Sequence, residues 1–509
     1  MQFSDKDLAQ IQNLGIDLRT VQNQLEKFRT GFPEIKLSRI VDEGRGLKKL
    51  SGEAVDGFTK KFDQERVEKE LVKFVPASGA ASRMFKTLFN FLEGDLSAEH
   101  ADIKDFYVNL RKFAFYEELE RRIDEREDLS VNSGKESKIW VEKLLSENGL
   151  NYGSLPKALL PFHAYDDGSV RKAIDEHLVE GAQYCVGRGD KVMLHFTVSQ
   201  EHMNLIAGHI NSLIPEFSKR YQKTFEVSYS IQDPATNTIA VSPDNNPLRD
   251  NRGRLVFRPG GHGALLKNLN EIEADIVFIK NIDNVAAEWL IKDTLTYKKA
   301  LAGILLQTQE KVFEYCSFLK EHNSLNRERE SEIVKFLSDE LGINVPQGFR
   351  EMKGEDKVRY LFGKLNRPIR ICGVVKSSNT GGGPFWVSEP DGSESLQLVE
   401  TDQINKNHEI QLGILKSSRY ANITDLICGI KDFEGRKFDL RKFTDPDAGF
   451  IAEKSMGSRE LKAMELPGLW NGSMRDWNTM FVEVPITTFN PVKTVLDLLK
   501  PEHQGTVKY

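Results

Sequence analysis

Leu71-Val72-Lys73-Phe74-Val75, then Pro76-Ala77-Ser78-Gly79-Ala80-Ala81-Ser82-Arg83-Met84, then FKTLFNFL, is the stretch on which the fold reading turns. A short apolar run reads as a strand, the small residues as a loop, and the apolar run after them as a helix. Strand, small-residue loop and helix form the front end of an α/β nucleotide-binding unit. Small residues let backbone amides approach an anion, and the helix start adds a favourable dipole. Arg83 brings a planar donor fork suited to phosphate oxygens. The plain alternative is a tight turn with a surface arginine. GxxxxGK[ST] is absent, so this is not a Walker A loop.

Outward from there, strands and helices alternate. KVMLHFTV (191–198), TFEVSYSI (224–231), ADIVFIKNI (274–282) and RPIRICGVVK (367–376) read as strands, and EHMNLIAGHINSL (201–213) as a helix. Leu8, Ile11, Leu14, Leu18, Val21 and Leu25 fall on one helical face, and residues 1–70 are expected to be a helical segment. Residues 85–154 read as an inserted, solvated helical hairpin, 295–350 as a helical segment, SSNTGGGPFWV as turn-rich, and NPVKTVLDLL as a helix. The expected class is α/β, with a mixed, mostly parallel central sheet in a core over 71–440, and an α/β segment over 441–509 closing the site.

Composition sets the outer bounds. The 509 residues suggest about three folding units. With 39% hydrophobic and 29% charged residues, a wholly disordered chain is excluded. A net charge of −6 without a basic tract argues against a dedicated nucleic-acid binder. No run approaches the roughly 18 apolar residues of a membrane span. The N-terminus lacks the apolar core of a signal peptide, and Cys185, Cys316, Cys372 and Cys428 form no CxxC. A soluble cytoplasmic protein is expected.

Three further segments carry possible chemistry. In Leu155-Pro156-Lys157-Ala158-Leu159-Leu160-Pro161 two prolines stiffen the backbone around one lysine, which is either a phosphate-binding point charge or a surface lysine in a turn. Arg258-Pro259-Gly260-Gly261-His262-Gly263 allows close approach of a flat ligand to the backbone, or is a plain glycine turn. Asn281-Ile282-Asp283-Asn284 follows a strand, where ligands of open α/β sheets sit. Asp283 either holds Mg²⁺ or caps a helix.

In order, these four segments resemble the nucleotidyltransferases that make nucleotide sugars, especially the UDP-sugar pyrophosphorylase branch, and an uncharacterised bacterial family related to it. The GGxGTR(M/L)…PK signature is matched by Ser78 to Met84 with Pro156-Lys157, the base-binding turn by Pro259 to Gly263, and the metal-binding N-x-D-N by Asn281 to Asn284. VETDQI (399–404) and Phe489-Asn490-Pro491-Val492-Lys493 are similar to later elements of the branch. Two loop glycines of the family are Ser78 and Ala81 here, and residues 85–155 separate the two halves of the signature.

The resemblance implies a Rossmann-like nucleotide-diphospho-sugar transferase core. It implies that sugar 1-phosphate attacks the α-phosphorus of an NTP, with a pyrimidine base expected, and that pyrophosphate leaves. Arg83 and Lys157 would hold the phosphates, with Ala77, Ser78, Gly79 and Ala80 as the loop around them. Asp283 would hold Mg²⁺, and Gly260, Gly261, His262 and Gly263, with Gln232, would frame the base. Asn379, Glu400 and Lys493 are expected on the sugar and its phosphate. The rivals are a glycosyltransferase and a non-catalytic nucleotide-sugar-binding protein of the same fold.

Overall fold

The computed structural model describes residues 3–123, 136–377, 382–456 and 459–505. The chain forms two compact units, each gathered from distant stretches. The first holds residues 1–65, 231–279 and 299–484; the second holds 66–230, 280–298 and 485–509. This interleaving differs from the expected divisions at 70 and 440. Strand pairing explains it within the first unit: Leu37–Ile40 pairs with Gly382–Ser388, so the N-terminal stretch belongs with residues far along the chain.

The first unit is α/β. Asp42–Glu43, Gly46–Lys48, Asn478–Glu483, Ile369–Lys376, Tyr420–Gly429 and Ile276–Lys280 lie side by side in that order. Ile369–Lys376 runs parallel to Asn478–Glu483 and antiparallel to Tyr420–Gly429. A four-stranded sheet carries Leu37–Ile40, Gly382–Ser388, Glu394–Glu400 and Ile343–Asn344, and another carries Phe257–Arg258, Thr238–Val241, Arg459–Glu465 and Phe450–Met456.

In the second unit Leu71–Pro76, Lys191–Val198 and Thr224–Ile231 are neighbours, the first two parallel with Phe74 opposite His195. Helices Ala173–Tyr184 and Met203–Tyr221 belong to this unit, and the former is buried along nearly its whole length. In the long row of the first unit and in the row beginning at Leu71, pairing is parallel for Asp42–Glu43, Gly46–Lys48, Asn478–Glu483 and Ile369–Lys376 in turn and for Leu71–Pro76 with Lys191–Val198, and antiparallel for Ile369–Lys376 with Tyr420–Gly429, so the central sheet is mixed and mostly parallel, as expected.

Several local expectations need correction. Residues 1–70 are not continuously helical. Helices Asp5–Asn13, Leu18–Thr30 and Gly52–Glu65 enclose short strands at 37–48; Leu37–Ile40 and Gly46–Lys48 have partners hundreds of residues away, which leave no local periodicity. Of the turn-rich SSNTGGGPFWV, residues 378–381 lie outside the described residues, and Gly382–Ser388 is a strand rather than a turn, with Phe385 opposite Gln397 and Gly383 opposite Val399. NPVKTVLDLL is no α-helix. Pro491 bridges to Asn284, and only Val495–Leu499 winds, as a 3-10 helix.

The insertion is not a solvated hairpin. Lys86–Glu93, Ala101–Val108, Tyr116–Glu120 and Glu136–Leu145 are short helices around buried Phe91, Phe106, Phe113, Phe115 and Trp140. The Phe113 and Phe115 rings stack 4.9 Å apart. At roughly 1.5–3 kcal/mol per buried phenylalanine, these side chains extend the same core that holds Val75, Leu178 and Phe196.

Candidate active site

The small-residue loop leaves the strand Leu71–Pro76 and is met at once by the Pro-Lys segment. Ala80 bridges Pro156, the Lys157 amide donates to the Gly79 carbonyl at 3.1 Å, and the Ala81 amide to the Leu155 carbonyl at 3.2 Å. Backbone pairing therefore joins the two halves of the signature despite the insertion between them. Ala77 does not serve as expected: it is fully buried, and its amide donates to the Thr197 carbonyl at 2.8 Å. The amides of Ser78, Gly79 and Ala80 have no acceptor among the described residues, and a Cβ on Gly79 would meet nothing within 4 Å. That leaves an open row of donors. Arg83 is exposed on the following turn and forms no ion pair among the described residues.

Asp283 lies beyond the strand Ile276–Lys280. Its Oδ2 accepts from Lys157 Nζ at 3.0 Å and from Lys493 Nζ at 2.9 Å. The Asp283 and Lys157 side chains are nearly buried, at 10% and 11% exposure, whereas Lys493 is 61% exposed. Burial alone would raise the Asp283 pKa, but Lys493 and Lys157 outweigh it and hold the carboxyl below its ordinary value. Burial also lowers the pKa of Lys157, against the opposing pull of Asp283.

The C-terminal segment completes this cluster. Lys157 Nζ donates to the Val492 carbonyl at 2.8 Å, the Val492 amide to the Asp283 carbonyl at 3.0 Å, and the Val495 amide to the Met84 carbonyl at 3.1 Å. Asn284 Oδ1 accepts from the Asn490 amide at 2.8 Å, so the Asn-Ile-Asp-Asn turn is not a helix cap. Lys493, expected with the sugar-side residues, lies instead on the carboxylate. Among the described residues no group of three His, Cys, Asp or Glu could hold a metal ion alone. Asp283 Oδ1 has no hydrogen-bond partner among them, and Mg²⁺ binds through one or two carboxylates with water and substrate phosphate filling the rest. The donor set fits such a shared site.

In the first unit the Pro-Gly-Gly-His-Gly turn is packed hard against residues 465–468. A Cβ on Gly263 would lie 2.1 Å from the Pro467 carbonyl oxygen, and one on Gly260 would lie 2.6 Å from that of Thr236. Gly261 has φ +76°, which favours glycine. These glycines permit close approach of the chain's own backbone, which the sequence alone did not separate from approach of a ligand. The Leu469 amide donates to His262 Nδ1 at 3.0 Å, so Nε2 carries the proton and donates to Glu400 Oε1 at 3.2 Å. His262 stacks on Trp470 with ring centroids 4.1 Å apart, and Asn471 Nδ2 also donates to Glu400 Oε1. The base-side and sugar-side expectations thus meet at one hydrogen bond.

Gln232 is half-buried between two anchors on the same turn, since Asn268 Nδ2 donates to the Ile231 carbonyl and Lys267 pairs with Asp233. Asn379 lies outside the described residues. Sequence reasoning missed Trp470 and Asn471, although WNG within the Gly-, Pro- and aromatic-bearing PGLWNGSMRDWNTMF was a signal. It also missed the partners of Lys73, a lysine inside an apolar strand, which calls for a buried counter-charge.

The chain belongs to the family described as a domain of unknown function, DUF4301, whose model matches residues 4–504. No curated protein matches it in sequence. Among solved structures it is similar to the uridine diphosphate N-acetylglucosamine pyrophosphorylase of Trypanosoma brucei, with TM-score 0.51 and 12% identity over 97% of this chain and 79% of that one. It is also similar to UDP-glucose pyrophosphorylase of Leishmania major, with TM-score 0.43 and 13% identity over 99% of this chain and 82% of that one. The Trypanosoma likeness establishes a pyrophosphorylase-type nucleotidyltransferase fold. No helix among the described residues is long and apolar enough to cross a membrane.

Proposed function

We propose that this DUF4301 protein is a nucleotidyltransferase that forms a nucleotide sugar and pyrophosphate from an NTP, with UTP as the nucleotide, and a sugar 1-phosphate. The observation that carries the reading is the Asp283 carboxylate gripped by Lys157 and Lys493, in the same unit as a row of unpaired loop amides. Two ammonium groups that already face one anion are prepared to face another. The oxygens of a bound triphosphate would compete for Lys157 and those of the sugar phosphate for Lys493, and Asp283 would then be available to hold Mg²⁺. That ion supplies charge neutralisation on the phosphate oxygens.

The chain's own residues do the rest. Lys157, poorly solvated, holds the phosphates, and Ser78, Gly79 and Ala80 donate backbone amides to them. Arg83, exposed and without an ion pair among the described residues, meets the leaving pyrophosphate. Glu400, oriented by His262 and Asn471, keeps Oε2 for a sugar hydroxyl. Lys493 neutralises the attacking sugar phosphate. The four cysteines are buried and in no disulfide, which suits a reducing cytoplasm.

A glycosyltransferase would call for a second carboxylate beside Asp283, but its neighbours are Ile282 and Asn284. The non-catalytic reading leans on Ser78 and Ala81. Ala81 is fully buried and its amide bonds Leu155, so its methyl group faces the core rather than the open side of the loop. Pyrophosphate release with a panel of NTPs and sugar 1-phosphates tests the proposal. Release that needs both substrates supports it. Binding of nucleotide sugars without release from any pair supports the non-catalytic protein.

A further inference from the structure

Beneath the Asp283 turn the second unit buries an unusual set of charges. Lys73, Glu180 and Lys280 are each 1% exposed or less. Lys73 Nζ donates to Glu180 Oε2 at 2.8 Å, and Lys280 Nζ to Glu180 Oε1 at 2.6 Å. Glu180 lies on the helix Ala173–Tyr184, as does His177, three residues earlier and so on the same face. His177 is fully buried and its Nε2 lies 3.2 Å from the Ile282 carbonyl oxygen. A carbonyl only accepts, so Nε2 carries the proton. Nδ1 then presents a buried lone pair with no partner among the described residues.

We infer that His177 is a positioning residue for Asp283. Its hydrogen bond fixes the Ile282 carbonyl and hence the peptide that leads into Asp283, which sets where that carboxylate meets Lys157, Lys493 and a divalent cation.

Three observations carry this. One helix holds the segment at two points: Glu180 grips Lys280, and His177 grips Ile282. The Val492 amide holds the Asp283 carbonyl from the C-terminal segment, so the carboxylate is mounted between two supports. An apolar ring at 177 would fill the space and remove the unpaired Nδ1, but would take the donor from the Ile282 carbonyl, so the donor is what a histidine adds there. The ring stays neutral, since burial and the nearby Lys73 both push its pKa well down. The role assigned to Asp283 rests on the proposed function; the mounting of its loop does not.

The test uses the full chain with His177→Phe, which keeps a ring and removes the donor, and His177→Gln, which keeps a donor. The first readout is amide hydrogen exchange across 281–284 in ligand-free protein. The second is Mn²⁺ binding with UTP, followed by electron paramagnetic resonance without sugar phosphate. His177→Phe should speed exchange at 281–284 and weaken Mn²⁺ binding, each about tenfold, as loss of one net hydrogen bond predicts. Exchange in the strand Lys191–Val198 should stay unchanged, and His177→Gln should restore both values. Exchange at 281–284 equal to wild type in His177→Phe, or His177→Gln behaving like His177→Phe, overturns the inference. If His177→Phe does not fold, His177→Gln alone decides: wild-type exchange supports the positioning role, and fast exchange overturns it. If wild type binds no Mn²⁺ while exchange responds as stated, the positioning holds and the metal role of Asp283 fails.

Discussion

The amide of Lys157 donates to the carbonyl of Gly79 across 3.1 Å, so a lysine and a small-residue loop separated by an entire helical insertion share one piece of backbone pairing. Lys157 is therefore placed by main chain, and its side chain is left to meet Asp283.

Replacing Asp283 by Ala should lower pyrophosphate release by on the order of 10²–10³, the usual loss for a preorganised electrostatic group. It also leaves Lys157 buried without its counter-charge, so the melting temperature should be compared with that of Asp283→Asn. A folded Asp283→Ala protein with undiminished turnover would remove Asp283 from the site.

Gly79→Ala and Gly263→Ala should part company. At Gly79 nothing lies within 4 Å of an added Cβ and the backbone is not left-handed, so stability should hold or rise by about 0.4–1 kcal/mol. The added methyl on the open face should weaken nucleotide binding, read by titration calorimetry. At Gly263 the Cβ would meet the Pro467 carbonyl oxygen at 2.1 Å, and stability should fall by about 1–3 kcal/mol or more.

Glu180 is the carboxylate between two buried lysines. Glu180→Leu should destabilise the protein by about 3–5 kcal/mol in urea unfolding, because Lys73 and Lys280 would remain buried without it. A loss below about 1 kcal/mol would mean that the lysines reach water instead.

Burial, outweighing the pull of Glu180, lowers the pKa of Lys73 from its ordinary 10.5 to about 8. Between those values the unfolded chain holds a proton that the folded chain has released. This group therefore makes stability rise with pH across that window, and contributes no slope well below it. The stability difference between wild type and Lys73→Met should shift in favour of wild type over the same range. A difference independent of pH would show that Lys73 stays charged throughout.

The sequence is most legible where one segment holds its own signal. The apolar run at Leu71, the small loop and Arg83 announce a strand–loop–helix unit without help from elsewhere. Leu37–Ile40 and Gly382–Ser388 are strands because of each other, and neither glycine content nor local periodicity reveals a partner at that distance. The same holds in the site. Asp283 and Lys157 are recognisable as chemistry-bearing residues, but that Lys493 and Lys157 share one oxygen of Asp283 is a fact of tertiary structure. The glycines of the Pro-Gly-Gly-His-Gly turn mislead in another way, since a backbone neighbour and a ligand make the same demand for a missing Cβ.

The most direct test follows the α-phosphorus itself. UTP labelled at the α-phosphate, mixed with a panel of sugar 1-phosphates, Mg²⁺ and the protein, should yield label in a nucleotide sugar and unlabelled pyrophosphate in equal amounts, with neither product when the sugar phosphate is left out. Label that remains in UTP with every sugar phosphate, or passes to UMP, would contradict nucleotidyl transfer at Asp283.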